Sequence, residues 1–516
     1  MESKQSIPPI LRPDFVYPIA LGDIAERFGL QVSKEQASLT VSGISMNTGD
    51  LRSGDLFVAM PGQKNHGANF LAKAIELGAV AVITDSAGMK IIGVADIPCM
   101  VLEQPRKHLG ELAAFVYGNA EGNVPTLFAT TGTNGKTSTT YLLEAILRQV
   151  GRTTGLTSTA ERHIAGEVIV SRLTTPESPE MQALVARMRE RGVTDVAIEV
   201  SAQALTQLRV DGLHFDVAGF TNLSHDHFDD YGGFESYLKA KAELFTKNRA
   251  KQAVVCLDTE FGNQIVQLSE VPVVTIASND SIAADWHIGI LEELPGVTKF
   301  QLIGPNDQVL QSSVPIIGAH MAANAGLAIV MAVTAGYAFT DIKRAISKGI
   351  DAYLPGRTEL ISPVSAPAVY VDFGHSPDAF LNTLAAVRKV TSGKVVMLFG
   401  ADGDRDPSKR KDMARVAAAG CDILVITDHH PRFEDPASIR KTLVEAARAF
   451  RPELEILEVS PPEAAIRAAV KLVEPGDSIL WAGPGHQDYR DIEGVRTPYS
   501  ARAEAKKALT EAGYPC

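Results

Sequence analysis

The sequence has little cysteine and no long apolar run. Four of its 516 residues are cysteine, at positions 99, 256, 421 and 516, and they show no CxxC or other metal-ligand spacing. This usage favours a reducing compartment and argues against a structural zinc site. No stretch of about 18 residues is continuously apolar, which argues against a membrane span. Residues 1–16 carry charges and prolines where a secretory signal has an apolar core, so we expect a cytoplasmic protein with a short flexible N-terminal arm.

The sequence also has fewer basic than acidic residues. The formal net charge is −12, and the lysines and arginines form no basic stripe along the chain. We therefore expect no nucleic-acid partner. The length exceeds that of one ordinary hydrophobic core, which predicts two to four domains.

Short apolar runs alternate with helical patterns over most of the chain. Polar turn residues bound each run, a pattern typical of buried strands in a parallel sheet that is covered by helices on both faces. The runs are 55–60, 79–84, 126–130, 196–200, 217–221, 368–371, 394–399, 423–426 and 478–481. Pro125 and Pro355-Gly356 divide this α/β chain into three predicted domains, 1–124, 125–354 and 355–516. Ligands are then expected at the carboxyl ends of the strands.

A glycine-rich segment, Gly132-Thr-Asn-Gly-Lys-Thr137, lies between a predicted strand and a predicted helix at 138–150. Backbone N–H groups of such a loop and of the helix N-terminus cradle phosphate oxygens. Lys136 would then reach the β- and γ-phosphates, and the Thr137 hydroxyl would hold Mg²⁺. Thr130 stands where the usual pattern has glycine. The alternative is a glycine-rich turn with an exposed lysine.

The loop and the motifs that follow it resemble the Mur ligases and their relatives, the folylpolyglutamate synthases. The resemblance extends over nearly the whole chain after about residue 40, and the tripeptide-forming Mur ligases are the most similar subgroup. It implies a UDP-sugar-binding α/β N-terminal domain and a central P-loop ATPase domain with a mostly parallel sheet. It also implies a Rossmann-like, doubly wound C-terminal domain that closes on ATP and binds the incoming amino acid.

Besides Lys136, three residues of the central block carry the expected catalytic chemistry. Glu199 ends a predicted strand, where a carboxylate suits a hard cation. The resemblance places His227 on a second metal ion and implies that Lys241 is carbamylated. Taken alone, Lys241 would be a solvated lysine on a helix, and His225 and Asp226 local hydrogen-bonding residues. The candidate catalytic residues are Lys136, Glu199, His227 and Lys241, and the candidate ligands of two Mg²⁺ ions are Thr137, Glu199, His227 and Lys241.

The resemblance also implies the residues that bind nucleotide and substrate. Asp372 and His375 match a family motif that contacts ATP, although an Asp-capped turn with Pro377 at the first helical position would also explain it. The candidate ATP-binding residues are Gly132, Thr133, Asn134, Gly135, Lys136, Thr137, Ser138, Asn324, Arg357, Asp372 and His375. The candidate substrate-binding residues are Thr48, Thr174, Thr175, Ser201, Arg209, Arg405, His429, His430, Pro431, Arg432, Gly483 and Gln487. Plain alternatives are a simple turn for 174–176 and a surface charge for Arg209.

The implied activity is an ATP-dependent, ADP-forming ligase in peptidoglycan precursor synthesis. Its expected partners are UDP-MurNAc-L-Ala-D-Glu and a free amino acid, joined through an acyl phosphate by a monomeric enzyme. The alternatives are a folylpolyglutamate synthase-like ligase, a Mur-type ligase of another amide-forming pathway, and an inactive nucleotide-binding subunit.

The identity of the amino acid is the most open expectation. Family members carry Gly where this chain has Asp402. The ligases that select diaminopimelate usually carry Asn and Glu where this chain has His430 and Gln487. Arg432 is retained, which keeps diaminopimelate possible. Loss of the glutamate leaves lysine, ornithine, or a smaller or neutral side chain open.

Overall fold

The fold was analysed in a computed structural model that describes residues 10–120, 122, 124–225 and 228–514, without the side chains of 228 and 229. Within these ranges, no helix is long and apolar enough to cross a membrane. Helices and strands alternate along the chain, and the larger sheets are mostly parallel. The predicted α/β class is therefore confirmed.

The N-terminal part builds a small parallel sheet in the order β3-β4-β5-β6. The strands of the whole N-terminal part are β1 (Ile19–Ala20), β2 (Thr40–Val41), β3 (Gly43–Ser45), β4 (Asp55–Ala59), β5 (Ala81–Thr84) and β6 (Cys99–Val101). Its helices are α1 (Leu21–Phe28), α2 (Lys34–Ala37), α3 (Leu71–Glu76), α4 (Ser86–Ile92) and α5 (Pro105–Val116). All five residues of β4 are buried, as expected for a strand covered on both faces.

The central part contains a larger sheet in the order β10-β9-β8-β11-β7-β12-β13-β14-β15-β16-β17. Its strands are β7 (Thr126–Thr131), β8 (Thr154–Thr157), β9 (Glu161–Ile164), β10 (Glu167–Val170), β11 (Asp195–Glu199), β12 (Phe215–Phe220), β13 (Ala250–Cys256), β14 (Val273–Ala277), β15 (Trp286–Leu294), β16 (Val297–Ile303) and β17 (Val309–Val314). Its helices are α6 (Lys136–Gln149), α7 (Ser178–Glu190), α8 (Ala202–Thr206), α9 (Phe228–Tyr231), α10 (Phe234–Ala242), α11 (Glu260–Leu268), α12 (Ala319–Thr334) and α13 (Phe339–Ala345). The strands from β8 to β15 in this order pair in parallel. Separate apolar clusters cover the two faces of the sheet.

The C-terminal part forms another mostly parallel sheet, in the order β18-β19-β23-β20-β21-β22. Its strands are β18 (Glu359–Leu360), β19 (Ala368–Asp372), β20 (Val395–Phe399), β21 (Ile423–Ile426), β22 (Glu455–Glu458) and β23 (Ser478–Ala482), followed by the hairpin β24 (Tyr489–Ile492) and β25 (Val495–Pro498). Its helices are α14 (Pro377–Val390), α15 (Lys409–Gly420), α16 (Pro436–Phe450), α17 (Pro462–Val470) and α18 (Ala501–Glu511). The predicted boundaries at 124/125 and 354/355 fall between the sheets and stay a prediction.

Candidate functional site

A cleft of about 870 Å³ lies where the central and C-terminal parts face each other. The loop after β7, the ends of β11 and β12, and the loops after β19, β20, β21 and β23 contribute to its wall. These loops follow the carboxyl ends of their strands, which is where ligands bind in sheets of this kind. Most of the residues predicted from sequence line this one cleft.

The loop from β7 to α6 has the backbone that a phosphate cradle needs. Gly132 has φ 148° and Gly135 has φ 83°, and a Cβ on Gly132 would lie 1.8 Å from the Thr221 hydroxyl oxygen. Only glycine fits such a position. Thr130 belongs to β7, paired with Glu199 of β11 and Gly219 of β12. The position where this chain has threonine instead of the usual glycine therefore lies inside the sheet, before the loop begins.

Lys136 begins α6 and folds back over this loop. Its ammonium donates to the carbonyl oxygens of Gly132 at 3.1 Å and Thr133 at 2.8 Å. The side-chain oxygen of Asn222 accepts the Asn134 N–H at 3.0 Å and holds the loop from the end of β12. Lys136 lines the cleft, so its charge lies at the place where phosphates would bind.

Glu199 forms the oxygen-rich part of the cleft at the end of β11. The carboxylate is 2% exposed. It accepts hydrogen bonds from the Thr137 hydroxyl at 2.9 Å, the Thr159 N–H at 2.8 Å and the Thr159 hydroxyl at 3.0 Å. A buried carboxylate beside a hydroxyl is a donor set that suits Mg²⁺. The residues present therefore fit the implied metal ion.

Lys241 is a buried residue of α10, and the solvated-lysine alternative is wrong. Its side chain is 1% exposed. Its ammonium donates to the Gly132 carbonyl at 2.7 Å and lies 4.2 Å from the centre of the Tyr237 ring. A buried lysine at the base of a phosphate loop is costly unless the site uses it. His227 and Asp226 lie outside the described residues, and the Nε2 of His225 lies 3.9 Å from the Asp406 carboxylate.

The C-terminal part reaches the loop through Arg357. Its guanidinium donates to the Thr137 hydroxyl at 3.1 Å and stacks on the Phe373 ring at 4.4 Å. Burial lowers the pKa of Arg357, and this cation lies against the phosphate loop. Asn324 of α12 also lines the cleft. A Cβ on Gly135 would lie 2.5 Å from the Asn324 side-chain oxygen.

Asp372 and His375 line the same cleft, but Asp372 does not cap α14. The Asp372 carboxylate accepts the N–H groups of Thr358 at 2.9 Å and Gly374 at 2.8 Å. Ser376 caps the helix instead, with Pro377 at the first position. The plain alternative is therefore confirmed alongside the position in the cleft, because Asp372 closes the turn ahead of the helix and Pro377 is at the first helical position.

The predicted acceptor residues divide into two sets. Thr174, Ser201 and Arg209 line the cleft. The hydroxyl of Thr175 is turned away from the cleft, since it donates to the Glu199 carbonyl at 2.9 Å. Thr48 lies in the turn after β3, outside the residues that form the cleft wall.

Arg209 is not a surface charge. It pairs with the Glu177 carboxylate at 2.8 Å, and its side chain is 15% exposed. Arg106 binds the same carboxylate at 2.8 Å. One glutamate thus holds two arginines, which leaves this rim of the cleft with an excess of positive charge.

The loops at the far end of the cleft gather most of the residues predicted for the incoming amino acid. Asp402, Arg405, His429, His430, Arg432, Gly483 and Gln487 line the cleft. Pro431 lies behind them, with its carbonyl accepting the Glu434 N–H at 2.9 Å. Arg432 has φ 49°, a left-handed backbone that turns its side chain toward the Gly403 carbonyl at 2.8 Å.

Several lining residues were missed by sequence reasoning. Thr159 lies just beyond the carboxyl end of β8, so the strand-end rule could have found it. Tyr489, Asp491 and Arg496 come from the hairpin β24–β25. This hairpin shows four-residue strands with exposed or half-buried side chains, and no periodic signal separates it from a loop.

Three family descriptions match the chain in order. The Mur ligase family catalytic domain matches residues 40–117, the Mur ligase middle domain 130–332, and the Mur ligase glutamate ligase domain 356–485. A protein of Leifsonia xyli subsp. xyli named UDP-N-acetylmuramyl-tripeptide synthetase is 51% identical over 98% of this chain and 99% of its own. The chain belongs to the Mur ligase family.

Two further comparisons support this assignment. A Streptomyces avermitilis protein named UDP-N-acetylmuramoyl-L-alanyl-D-glutamate–2,6-diaminopimelate ligase is 40% identical over 97% of this chain and 98% of its own. A solved structure with the same enzyme name is 25% identical, has a TM-score of 0.67 and covers 96% of this chain and 100% of its own. The expected membership in this Mur ligase subgroup is confirmed, and the folylpolyglutamate synthase alternative is wrong, because the match includes the N-terminal part as well.

Proposed function

We propose that this Mur ligase adds an amino acid to UDP-MurNAc-L-Ala-D-Glu with cleavage of ATP to ADP and phosphate. The observation that carries the proposal is the meeting of the phosphate loop, Glu199, Lys241 and the loop after β21 in one cleft. The names of the full-length relatives support the same acceptor and the same type of product.

The proposed reaction begins with phosphate binding. The loop N–H groups and Lys136 hold the β- and γ-phosphates of ATP. Thr137 and Glu199 are the residues that would hold Mg²⁺, together with a carbamylated Lys241 and His227 if these act as the resemblance implies. Mg²⁺, when bound, supplies positive charge beside the phosphates.

The chemistry then follows two displacements. A carboxylate oxygen of the peptide attacks the γ-phosphorus, the bond to the β-phosphate oxygen breaks, and an acyl phosphate and ADP form. Lys136 and Arg357 stabilise the charge on the transferred group. The amine of the amino acid then attacks the acyl carbon, loses a proton, and displaces phosphate to leave an amide.

Residues on the cleft wall orient the two substrates. Arg209, at the positively charged rim, suits a peptide carboxylate, since a guanidinium can donate two parallel hydrogen bonds. Thr174 and Ser201 lie on the same wall. The C-terminal loops cover the reacting end and exclude water, which would otherwise hydrolyse the acyl phosphate.

One assay tests this proposal against its rivals. The protein is incubated with ATP, Mg²⁺, UDP-MurNAc-L-Ala-D-Glu and single amino acids, and phosphate release is measured with each component omitted in turn. We expect release that requires both the acceptor and an amino acid. Release only when another acceptor with a free carboxylate replaces UDP-MurNAc-L-Ala-D-Glu would support a diverted ligase. ATP binding without any turnover would support an inactive nucleotide-binding subunit.

A further inference from the structure

The guanidinium of Arg432 is already surrounded by acceptors. It donates to the Gly403 carbonyl at 2.8 Å. It also lies 3.6 Å from a carboxylate oxygen of Asp402 and 3.9 Å from one of Asp491. All three of these charged side chains line the cleft. Two carboxylates therefore share one guanidinium, so these three side chains together carry a net negative charge.

Each carboxylate also has one oxygen that forms no hydrogen bond with the described residues, although the Asp402 Oδ1 lies 3.7 Å from the His429 Nε2. The Oδ1 atoms of Asp402 and Asp491 are buried and form no hydrogen bond within the described parts of the chain. A buried acceptor that lacks a donor is unfavourable, and it becomes favourable when a ligand supplies the donor. The two carboxylates at this end of the cleft therefore lack hydrogen-bond donors for these oxygens among the residues that the structure describes.

The two histidines beside these carboxylates do not supply positive charge. Burial lowers the pKa of His429 to about 3, so its imidazole is neutral at neutral pH. Burial also lowers the pKa of His430. For Asp402, burial acts to raise the pKa, but charge interactions lower it, and Arg432 is the permanently charged partner among them. Asp402 is therefore an anion among neutral rings, and Arg432 is its permanent positive neighbour.

A divalent metal ion is a less fitting occupant. Asp402, His429 and His430 each offer a ligand atom, and these atoms lie within 4.8 Å of one another. However, the Nδ1 of His430 accepts the Asp491 N–H at 2.9 Å, which leaves its Nε2 to donate to the Gln487 side-chain oxygen at 2.8 Å. Both ring nitrogens are thus used, and neither has a lone pair for a metal ion.

We propose that this pocket selects an amino acid whose side chain ends in an ammonium group and carries no second carboxylate, with Asp402 as the specificity-determining residue. The inference rests on the proposed ligase function. An ammonium group would give its hydrogen bonds to Asp402 and Asp491. A distal carboxylate, as in diaminopimelate, would instead meet two carboxylates and an arginine whose charge they already offset. Arg405 and Arg496, which also line the cleft, suit the α-carboxylate that every amino acid has.

A substrate panel tests the proposal on the intact enzyme. Phosphate release is measured with ATP, Mg²⁺ and UDP-MurNAc-L-Ala-D-Glu, and with L-ornithine, L-lysine, L-norleucine or meso-diaminopimelate. We expect kcat/KM for the better of the two diamino acids to exceed that for norleucine and diaminopimelate by at least about 10-fold, since a hydrogen bond to a charged group is worth about this much.

The variant Asp402→Asn then assigns the selection to one residue. We expect KM for the diamino acid to rise about 10- to 100-fold with little change in kcat, while KM for norleucine stays within about 2-fold. Asp404→Asn is the matched control. Asp404 is an exposed neighbour in the same loop whose carboxylate accepts the Phe433 N–H at 3.0 Å, so it removes the same charge outside the cleft and leaves every KM unchanged.

The outcomes distinguish a failure of the substrate inference from a failure of the proposed ligase function. Preference for diaminopimelate or for norleucine in the wild type overturns the inference and leaves the ligase function standing. An equal effect of Asp402→Asn on all amino acids, or an equal effect of Asp404→Asn, overturns the role of Asp402. Release with no amino acid at all overturns the proposed function. The wild-type panel decides the substrate class even if a variant fails to fold.

Discussion

The hydroxyl of Thr137 donates a hydrogen bond of 2.9 Å to the carboxylate of Glu199. This contact joins the first turn of α6 to the end of β11 and puts a hydroxyl and a carboxylate side by side at the phosphate loop. Arg357 donates to the same hydroxyl at 3.1 Å from the C-terminal part. The pair therefore links the candidate metal site to the part of the chain that covers it.

Removal of the Glu199 charge should weaken Mg²⁺ binding. We expect Glu199→Gln to lower phosphate release by at least about 100-fold at millimolar Mg²⁺, because an amide is a poorer ligand than a carboxylate. Phosphate release is measured over a range of Mg²⁺ concentrations, and Glu199→Asp, which keeps the charge, should lose less. A wild-type Mg²⁺ dependence in Glu199→Gln would remove Glu199 from the metal site.

The loss of the Lys136 ammonium should affect catalysis more than folding. We expect Lys136→Ala to reduce phosphate release about 100- to 1000-fold, because the charge acts on the transferred phosphoryl group. The thermal midpoint should change little, since the ammonium lies in the cleft against loop carbonyls. The control is Lys239→Ala, which removes an exposed lysine paired with Glu235. Equal activity of both variants would contradict the phosphate-loop assignment.

The sequence predicted the fold class because the buried strands are visible in it. It predicted much of the cleft because the cleft residues follow the ends of those strands. Buried strands of four to six residues are visible as apolar runs, and polar residues that follow them converge at one edge of a parallel sheet. Glu199 and the loop 132–137 were found in this way. The strands β9, β10, β16 and β17 pair antiparallel at the sheet edges and gave no comparable run.

Contacts between distant segments were beyond the reach of sequence patterns. Nothing local to Arg357 or Thr137 indicates that their side chains meet, since 220 positions separate them. The burial of Lys241 was equally hidden, because a lysine in a helix reads as exposed by composition alone. Likewise, the pairing of Arg432 with Asp402 and Asp491 depends on two loops and the hairpin β24–β25, which only the tertiary fold brings together.

The pKa of His163 predicts a pH-dependent stability. Burial acts to lower this pKa, but hydrogen bonds and charge interactions with Glu144 and Glu161 raise it to about 9. Tyr141 also faces this group, with its hydroxyl donating to Glu161 at 2.8 Å. The unfolded value is about 6.5. The folded state thus holds the proton more tightly, so the stabilisation is complete below pH 6.5 and is lost as pH rises through about 9.

The contribution of His163 at low pH is about 3 kcal/mol as an upper value. We expect the wild-type thermal midpoint to fall between pH 6.5 and 9, and the fall to be smaller in His163→Gln. His214→Gln, which changes an exposed histidine, should follow the wild type. If His163→Gln and the wild type lose stability in parallel over this range, the histidine is not charged in the folded protein.

We expect Lys241 to act as a carbamate. The Lys241 ammonium is buried against the Gly132 carbonyl and the Tyr237 ring, and as a cation it cannot bind a metal ion. Reaction of the neutral amine with CO₂ would convert it to an anion beside the loop. Lys241→Ala should then lose at least about 100-fold in phosphate release, with part of the activity restored by a small carboxylic acid that fits the vacated space.

Two measurements and a control variant separate a carbamate from a plain buried lysine. Depletion of CO₂ and bicarbonate should lower wild-type activity, and their return should restore it. The mass of the intact protein under non-denaturing conditions should rise by one CO₂ in the wild type and not in Lys241→Ala. Lys239→Ala, on the exposed face of the same helix, should behave as the wild type in both tests. An active Lys241→Ala that is indifferent to added acid would leave Lys241 with a packing role alone.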